Sequence, residues 1–331
     1  MRSRATIRTA GLCATTLALL FSGAGTSQAQ NGLVINEQIQ LGDVFSQQTL
    51  NVEEAPEGLG ATTTAVGNIV AATGQNAPID FQNAQSIDGR VEAATDAQVS
   101  GVTGEYFATD TYATGNSATA GTCCALTLGS SQQWVNGDAV VAADAYSRTG
   151  DQAASISVDA SAIGNTQGWN QVGGELDAFS AQVNAGLTSA TNTGDFASSP
   201  GNIGLTSTAV GNNVTGTVEN APMDLGVEQS RWGPGVNAVV DAFVESAVDV
   251  QAIATASGNL VDVQAMSPTA NLSVSQTGEA DLNAYSNLNL GQWSGDANAI
   301  AYGVGNSVVL SNIGSDTVLY SEQSSGGEIN A

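Results

Sequence analysis

The chain has 331 residues with 31 Asp and Glu, six Arg, no Lys and no His, a formal charge of −25. That balance excludes nucleic-acid binding, which needs cations for phosphates, and disfavours anionic membrane surfaces. It also removes His and Lys from acid–base work, and the 39 glycines argue against helix.

Residues 1–29 read as a secretory signal. Arg2, Arg4 and Arg8 form a positive start, "AGLCATTLALLF" an apolar middle, and "SQA" a small-residue cleavage site. The apolar run is too short and mixed for a membrane anchor, and Cys13 is too early in it for a lipoprotein site. After removal of this segment three arginines (Arg90, Arg148 and Arg231) face 31 acidic side chains, a formal charge of −28. Such acidity keeps an exported protein soluble and self-repelling. Surface Asp in "NTGDF" or "SGDANA" offers an alternative role in bridging calcium.

Residues 30–61, with the acidic Pro/Gly stretch "NVEEAPEGLG", read as an N-terminal cap or docking segment. From Thr62 the chain repeats itself. "TTTAVGN" starts at Thr62 and "TSTAVGN" at Thr206, 144 residues later. Gly-Asn recurs at Gly67–Asn68, Gly115–Asn116, Gly164–Asn165, Gly211–Asn212, Gly258–Asn259 and Gly305–Asn306, in steps of 48, 49, 47, 47 and 47. A fixed period means stacked units that bury apolar faces only against their neighbours. Within the units the apolar period is two: Ile156, Val158, Ala160 and Ala162 alternate with Ser155, Ser157, Asp159 and Ser161.

These signals predict an all-β fold, a slim β-solenoid over residues 62–320 built from six repeats of 47–49 residues. Small inward residues imply a thin interior, and a period this long implies two coils of about 24 residues per repeat. That gives a stack roughly 50 Å tall at about 4.8 Å per coil. Gly-Asn is expected at corners, Gly for positive φ and Asn for its tolerance of left-handed geometry, with the amides aligned along the axis. Residues 321–331, ending "SSGGEINA", read as a disordered tail.

The adjacent Cys123 and Cys124 would point to opposite faces of a strand. One buried and one exposed thiol, a bond to another molecule, or a strained adjacent pair all fit. Four tryptophans, Trp134, Trp169, Trp232 and Trp293, each precede a Gly-containing turn. They could stack on sugar rings at exposed corners, or close the thin core. No catalytic, cofactor-binding or metal-ligating set stands out. A polysaccharide-active β-helix enzyme would need Asp clusters beside cations that this chain lacks. An ice-binding solenoid would need a Thr face, which only the repeats with "TTT" and "TST" hold.

The pattern A-x-G-N-x-V/A with a downstream Gln loosely resembles the curlin repeat. The whole layout resembles the holdfast anchor protein D family of stalked alphaproteobacteria: a signal, a lysine-free acidic chain, and Gly-Asn repeats to the C-terminus. The resemblance implies a non-enzymatic adhesin exported through a curli-type outer-membrane pore and retained at the outer cell surface. Its implied partners are other anchor or fibre subunits and an adhesive polysaccharide, with no cofactor. Open strand edges at the ends of a solenoid make self-association geometrically plausible, against the charge.

Overall fold

The computed structural model describes residues 32–314 and 316–331, so the expected export signal and Cys13 lie outside the described residues. The described chain is all β. Its strands are β1 (Gly32–Gln40), β2 (Val44–Val52), β3 (Leu59–Gln75), β4 (Ile79–Ile87), β5 (Arg90–Val99), β6 (Phe107–Val135), β7 (Val140–Gln152) and β8 (Ile156–Asn184). There follow β9 (Leu187–Glu219), β10 (Met223–Arg231), β11 (Gly235–Met266), β12 (Thr269–Gly278), β13 (Leu282–Trp293), β14 (Ala297–Asn312), β15 (Asp316–Ser325) and β16 (Ile329–Asn330). All named pairings are parallel and belong to one 16-stranded sheet wound on itself.

Register shows how the coil is wound. Gly32 pairs with Ile79, Ile79 with Thr127, Thr127 with Leu176, Leu176 with Met223, Met223 with Ala270, and Ala270 with Thr317. Each step is a whole repeat, so a repeat is one coil and not the two short coils expected. The reason is width. Each coil has three faces, and the third is a strand of about 17 residues bent in its middle. Seven rungs on the first face give a stack about 30 Å tall, not 50 Å.

The first face holds β1, β4, residues 127–135, residues 176–184, β10, β12 and β15. The second holds β2, β5, β7, residues 187–196, residues 235–244 and β13. The third holds β3, residues 107–123, 156–172, 203–219 and 250–266, and β14. The stack exceeds the expected 62–320 at both ends. β1 and β2 are already in register with the next coil, and β15 and β16 continue the register through residues expected to be a disordered tail.

Alternation buries every second residue, as in β8, where Ile156, Val158, Ala160 and Ala162 point inward. The interior forms two apolar cores. One lies between the second face and the first half of the third and includes Val91, Phe107, Val141 and Phe196. The other lies between the first face and the second half of the third and includes Phe81, Trp169, Leu176 and Leu225. Along both faces the columns that separate them are polar, occupied by Asn68 and its equivalents and by Gln85 and its equivalents.

One cation is buried in this interior. Arg231 is 2 % exposed. One terminal nitrogen donates to the Asp281 carbonyl at 3.3 Å, while Nε and the other terminal nitrogen have no partner. Burial lowers its pKa, and Asp281 opposes the shift. The side chain fits because glycines clear its path: a Cβ on Gly258 would stand 2.7 Å from Nε. A buried guanidinium with open donors costs stability. Arg231→Met, unbranched and uncharged, should therefore stabilise the fold by about 1–3 kcal/mol, read as a higher thermal midpoint. A lower midpoint would show that the guanidinium is satisfied.

Candidate functional site: amide ladders, corners and tryptophans

The six Gly-Asn pairs sit midway along the third face. There the alternation skips a beat, and two consecutive residues, such as Gly115 and Asn116, both face inward. The strand runs on through that point, and none of the six glycines has positive φ. The expected reason for glycine is thus replaced by another, close approach. A Cβ on Gly67 would stand 2.8 Å from the Gly115 carbonyl, and one on Gly211 2.7 Å from the Gly258 carbonyl.

The asparagines form a ladder. Nδ2 of Asn68 donates to Oδ1 of Asn116, Asn116 to Asn165, Asn165 to Asn212, Asn212 to Asn259 and Asn259 to Asn306, each at 2.8 Å. The second N–H of each reaches across the coil to a first-face carbonyl: Ser86, Trp134, Val183, Ser230, Thr277 and Ser324.

A second ladder faces it. Nε2 of Gln85 donates to Oε1 of Gln38, Gln133 to Gln85, Gln182 to Gln133, Gln229 to Gln182, Gln276 to Gln229 and Gln323 to Gln276, at 2.7–2.9 Å. Gln38 through Gln276 also donate to the carbonyl just after a Gly-Asn pair, as Gln133 does to Thr166 at 2.9 Å and Gln182 to Asn213 at 3.0 Å. The faces are locked reciprocally. Asn spans to the carbonyl after Gln, and Gln spans to the carbonyl after Asn. Each bond contributes on the order of 1 kcal/mol net, and leaving one unmade in this dry interior costs more. The Asn N–H groups point toward the C-terminal end of the stack and the Gln N–H groups toward the N-terminal end, so the two rows of amide dipoles oppose.

Sequence reasoning missed the Gln ladder beyond noting a downstream Gln. Its signal was present: a Gln stands 17 residues after every Gly-Asn asparagine, from Asn68 to Gln85 through Asn306 to Gln323.

Cys123 and Cys124 are joined by a disulfide at the corner between the third and first faces. The alternation argument does not apply there, because the chain is not extended. Cys124 has φ 75°, and the same corner in other coils carries Asn76 at 57°, Gly173 at 65° and Asn220 at 53°.

The tryptophans do not share one position. Trp134 is half-buried on the first face, and Trp232 and Trp293 are exposed, at the end of the first and of the second face respectively. Trp169 points inward and is fully buried, which removes it from glycan contact. Its Nε1 donates to Ser180 at 2.9 Å and its ring packs edge-on against Phe81 at 5.9 Å. Gly129 leaves the room it fills. Trp169→Ala should cost about 3–5 kcal/mol. Trp232→Ala and Trp293→Ala should stay within about 0.5 kcal/mol. Thermal midpoints of the three variants check this, and three equal losses would contradict it.

The outer surface is acidic and shallow. A groove of about 610 Å³ on the first face is lined by Ile35, Glu37, Asp80, Leu128 and Asp177 among others. Asp110 and Asp159 lie on adjacent rungs of the third face. Burial raises the Asp159 pKa, with Thr206 opposing and Asp110 adding to the rise. Burial likewise raises Asp144. A carboxyl that holds its proton more tightly when folded stabilises at low pH, and that stability is lost as pH rises through the folded value. The thermal midpoint should therefore rise as pH falls from 7 toward about 4.5. Asp159→Asn should flatten that rise; a midpoint that drops on acidification would refute it. Among the described residues no group of three or more His, Cys, Asp or Glu is placed to hold a metal ion.

A family model described as HfaD, Holdfast attachment protein D, matches residues 53–328. The chain belongs to the holdfast attachment protein D family. The match spans the stack from the end of β2 to the last coil, so the two ladders lie almost wholly within the family region. Membership gives the chain a role in holdfast attachment, with association with the cell surface. No curated protein and no solved structure matches the chain.

Proposed function

We propose that the chain is an exported, non-catalytic anchor that self-associates at the outer surface and holds an adhesive polysaccharide to the envelope. The match to the holdfast attachment family over residues 53–328 carries this reading. The fold supports it. Parallel coils locked by two amide ladders make a stiff spacer, and the open strand edges at both ends suit a component of a larger assembly. Residues 1–29 serve export, passage through a curli-type outer-membrane pore follows, and retention is at the outer membrane. β1 and β2, which lie in the segment expected to dock or cap, form the first coil of the stack and supply its N-terminal docking edge. Trp232 and Trp293, with half-buried Trp134 as the weaker candidate, supply flat surfaces on which sugar rings stack.

The test is a clean deletion of the gene. Adhesive synthesis should continue while the adhesive is shed from cells, and the wild-type chain should restore retention. Cells that stop making adhesive, or purified protein that cleaves it, would replace the anchor with the polysaccharide-active enzyme.

A further inference from the structure

We propose that copies of this chain join head to tail through the first face, with β1 of one copy adding to the open edge of β15 of the next. The proposal rests on the self-association just described and specifies its surface. Among the described residues β1 pairs only with β4, and β15 only with β12, so within them each offers one unpaired edge.

Hydrogen-bond polarity makes the two edges complementary. Every rung of the Gln ladder donates toward the N-terminal end. Gln38, the first rung, spends one N–H on the Ile69 carbonyl, which leaves the other facing the end of the stack. Gln323, the last rung, donates to Gln276, and among the described residues nothing donates to its Oε1. An open donor at one end thus meets an open acceptor at the other. Head-to-head contact would set donor against donor, tail-to-tail contact acceptor against acceptor, and both would turn the strands antiparallel.

Side chains agree with this register. Carrying the 47-residue step across the joint sets Leu33 on Val318, Val34 on Leu319, Ile35 on Tyr320 and Gln38 on Gln323. Leu33 and Ile35 are 61 % and 69 % exposed, and Val318 and Tyr320 58 % and 62 %. On inner rungs the same outward columns hold mostly polar residues, among them Asp80, Asp177, Asp224 and Asn271, or Gln82, Ser130 and Ser273. Apolar side chains at both terminal rungs of columns that are mainly polar within mark surfaces to be covered. The contact is heterologous, so it propagates into a fibre and does not close as a dimer. At the joint the second and third faces stand a rung apart, except at β16, so the joint is a seam along one face. One contact opposes it: Glu37 falls on Glu322.

The exported chain with Cys123→Ser and Cys124→Ser, carrying Ile35→Cys and Tyr320→Cys together, should give a ladder of dimers, trimers and longer species on mild oxidation. Neighbouring parallel strands place such a pair within disulfide reach. Each single-cysteine chain should give no covalent dimer on a non-reducing denaturing gel, with circular dichroism verifying the fold. Dimers formed as readily by a single-cysteine chain, or no oligomers from the double, overturn the proposal. In the wild-type background Glu37→Gln with Glu322→Gln should shift sedimentation toward longer species, and an unchanged distribution counts against this register. A seam that fails here while cells lacking the gene still shed adhesive sinks the seam and leaves the anchor role standing.

Discussion

Gly164→Val should yield no soluble folded protein, whereas Gly305→Val should fold with a thermal midpoint only a few degrees lower. At Gly164 an added Cβ meets the Gly211 carbonyl at 2.6 Å and collides with Nδ2 of Asn184. The carbonyl is backbone of the next rung and cannot rotate away, so the two coils must part. Parting them stretches the Asn165–Asn212 bond, one link of the central ladder. Overpacking alone costs about 1–3 kcal/mol, and the lost bonds add to it on both neighbouring rungs. At Gly305 the nearest atoms are Oγ of Ser325 at 3.2 Å and Cδ1 of Ile329 at 3.3 Å, side chains at the open end that can yield. Soluble yield and thermal midpoints decide the matter. Equal effects would mean that close approach is not what glycine supplies.

Asn165→Asp should be the most damaging isosteric change in the chain, with damage that grows with pH. Nδ2 of Asn165 donates to Oδ1 of Asn212 and to the Val183 carbonyl, and its Oδ1 accepts from Asn116, all at 2.8 Å with the side chain fully buried. A carboxylate would set an oxygen against two acceptors in a dry interior. It would keep its proton well above the usual range of about 3.9. The folded state then binds more protons than the unfolded state, so stability falls as pH rises above that range. The expected loss is about 3 kcal/mol or more at pH 7 and distinctly less near pH 4. Asn165→Gly, which removes the amide without adding charge, should show no such pH slope. Denaturant melts of both variants at the two pH values check it, and parallel pH profiles would place this Asn outside the dry ladder.

The strand class, the stacking of equivalent repeats and the register were legible in the sequence, because a strand's period of two and a 47–49-residue repeat are properties of chain order. The attachment family was legible too, from the layout as a whole. What a repeat does within one turn was not. Whether 47 residues make one three-faced coil or two narrow ones depends on where the chain turns, and the turns are carried by residues as different as Asn76, Cys124, Gly173 and Asn220. The four tryptophans look alike locally, yet Trp169 is a core plug and Trp232 is exposed, because Trp169 falls at an inward position of a third-face strand whereas Trp232 stands past the end of a first-face strand. The need for glycine there was read correctly from the repeat and attributed to the wrong cause. Backbone freedom can be argued from one residue, but close approach exists only once the neighbouring coil, 47–49 residues away, is stacked against it. The Gln ladder shows the same division. Its spacing is written in the sequence, and its hydrogen bonds, their polarity and the unlike ends they create arise only when seven distant side chains are brought into one column.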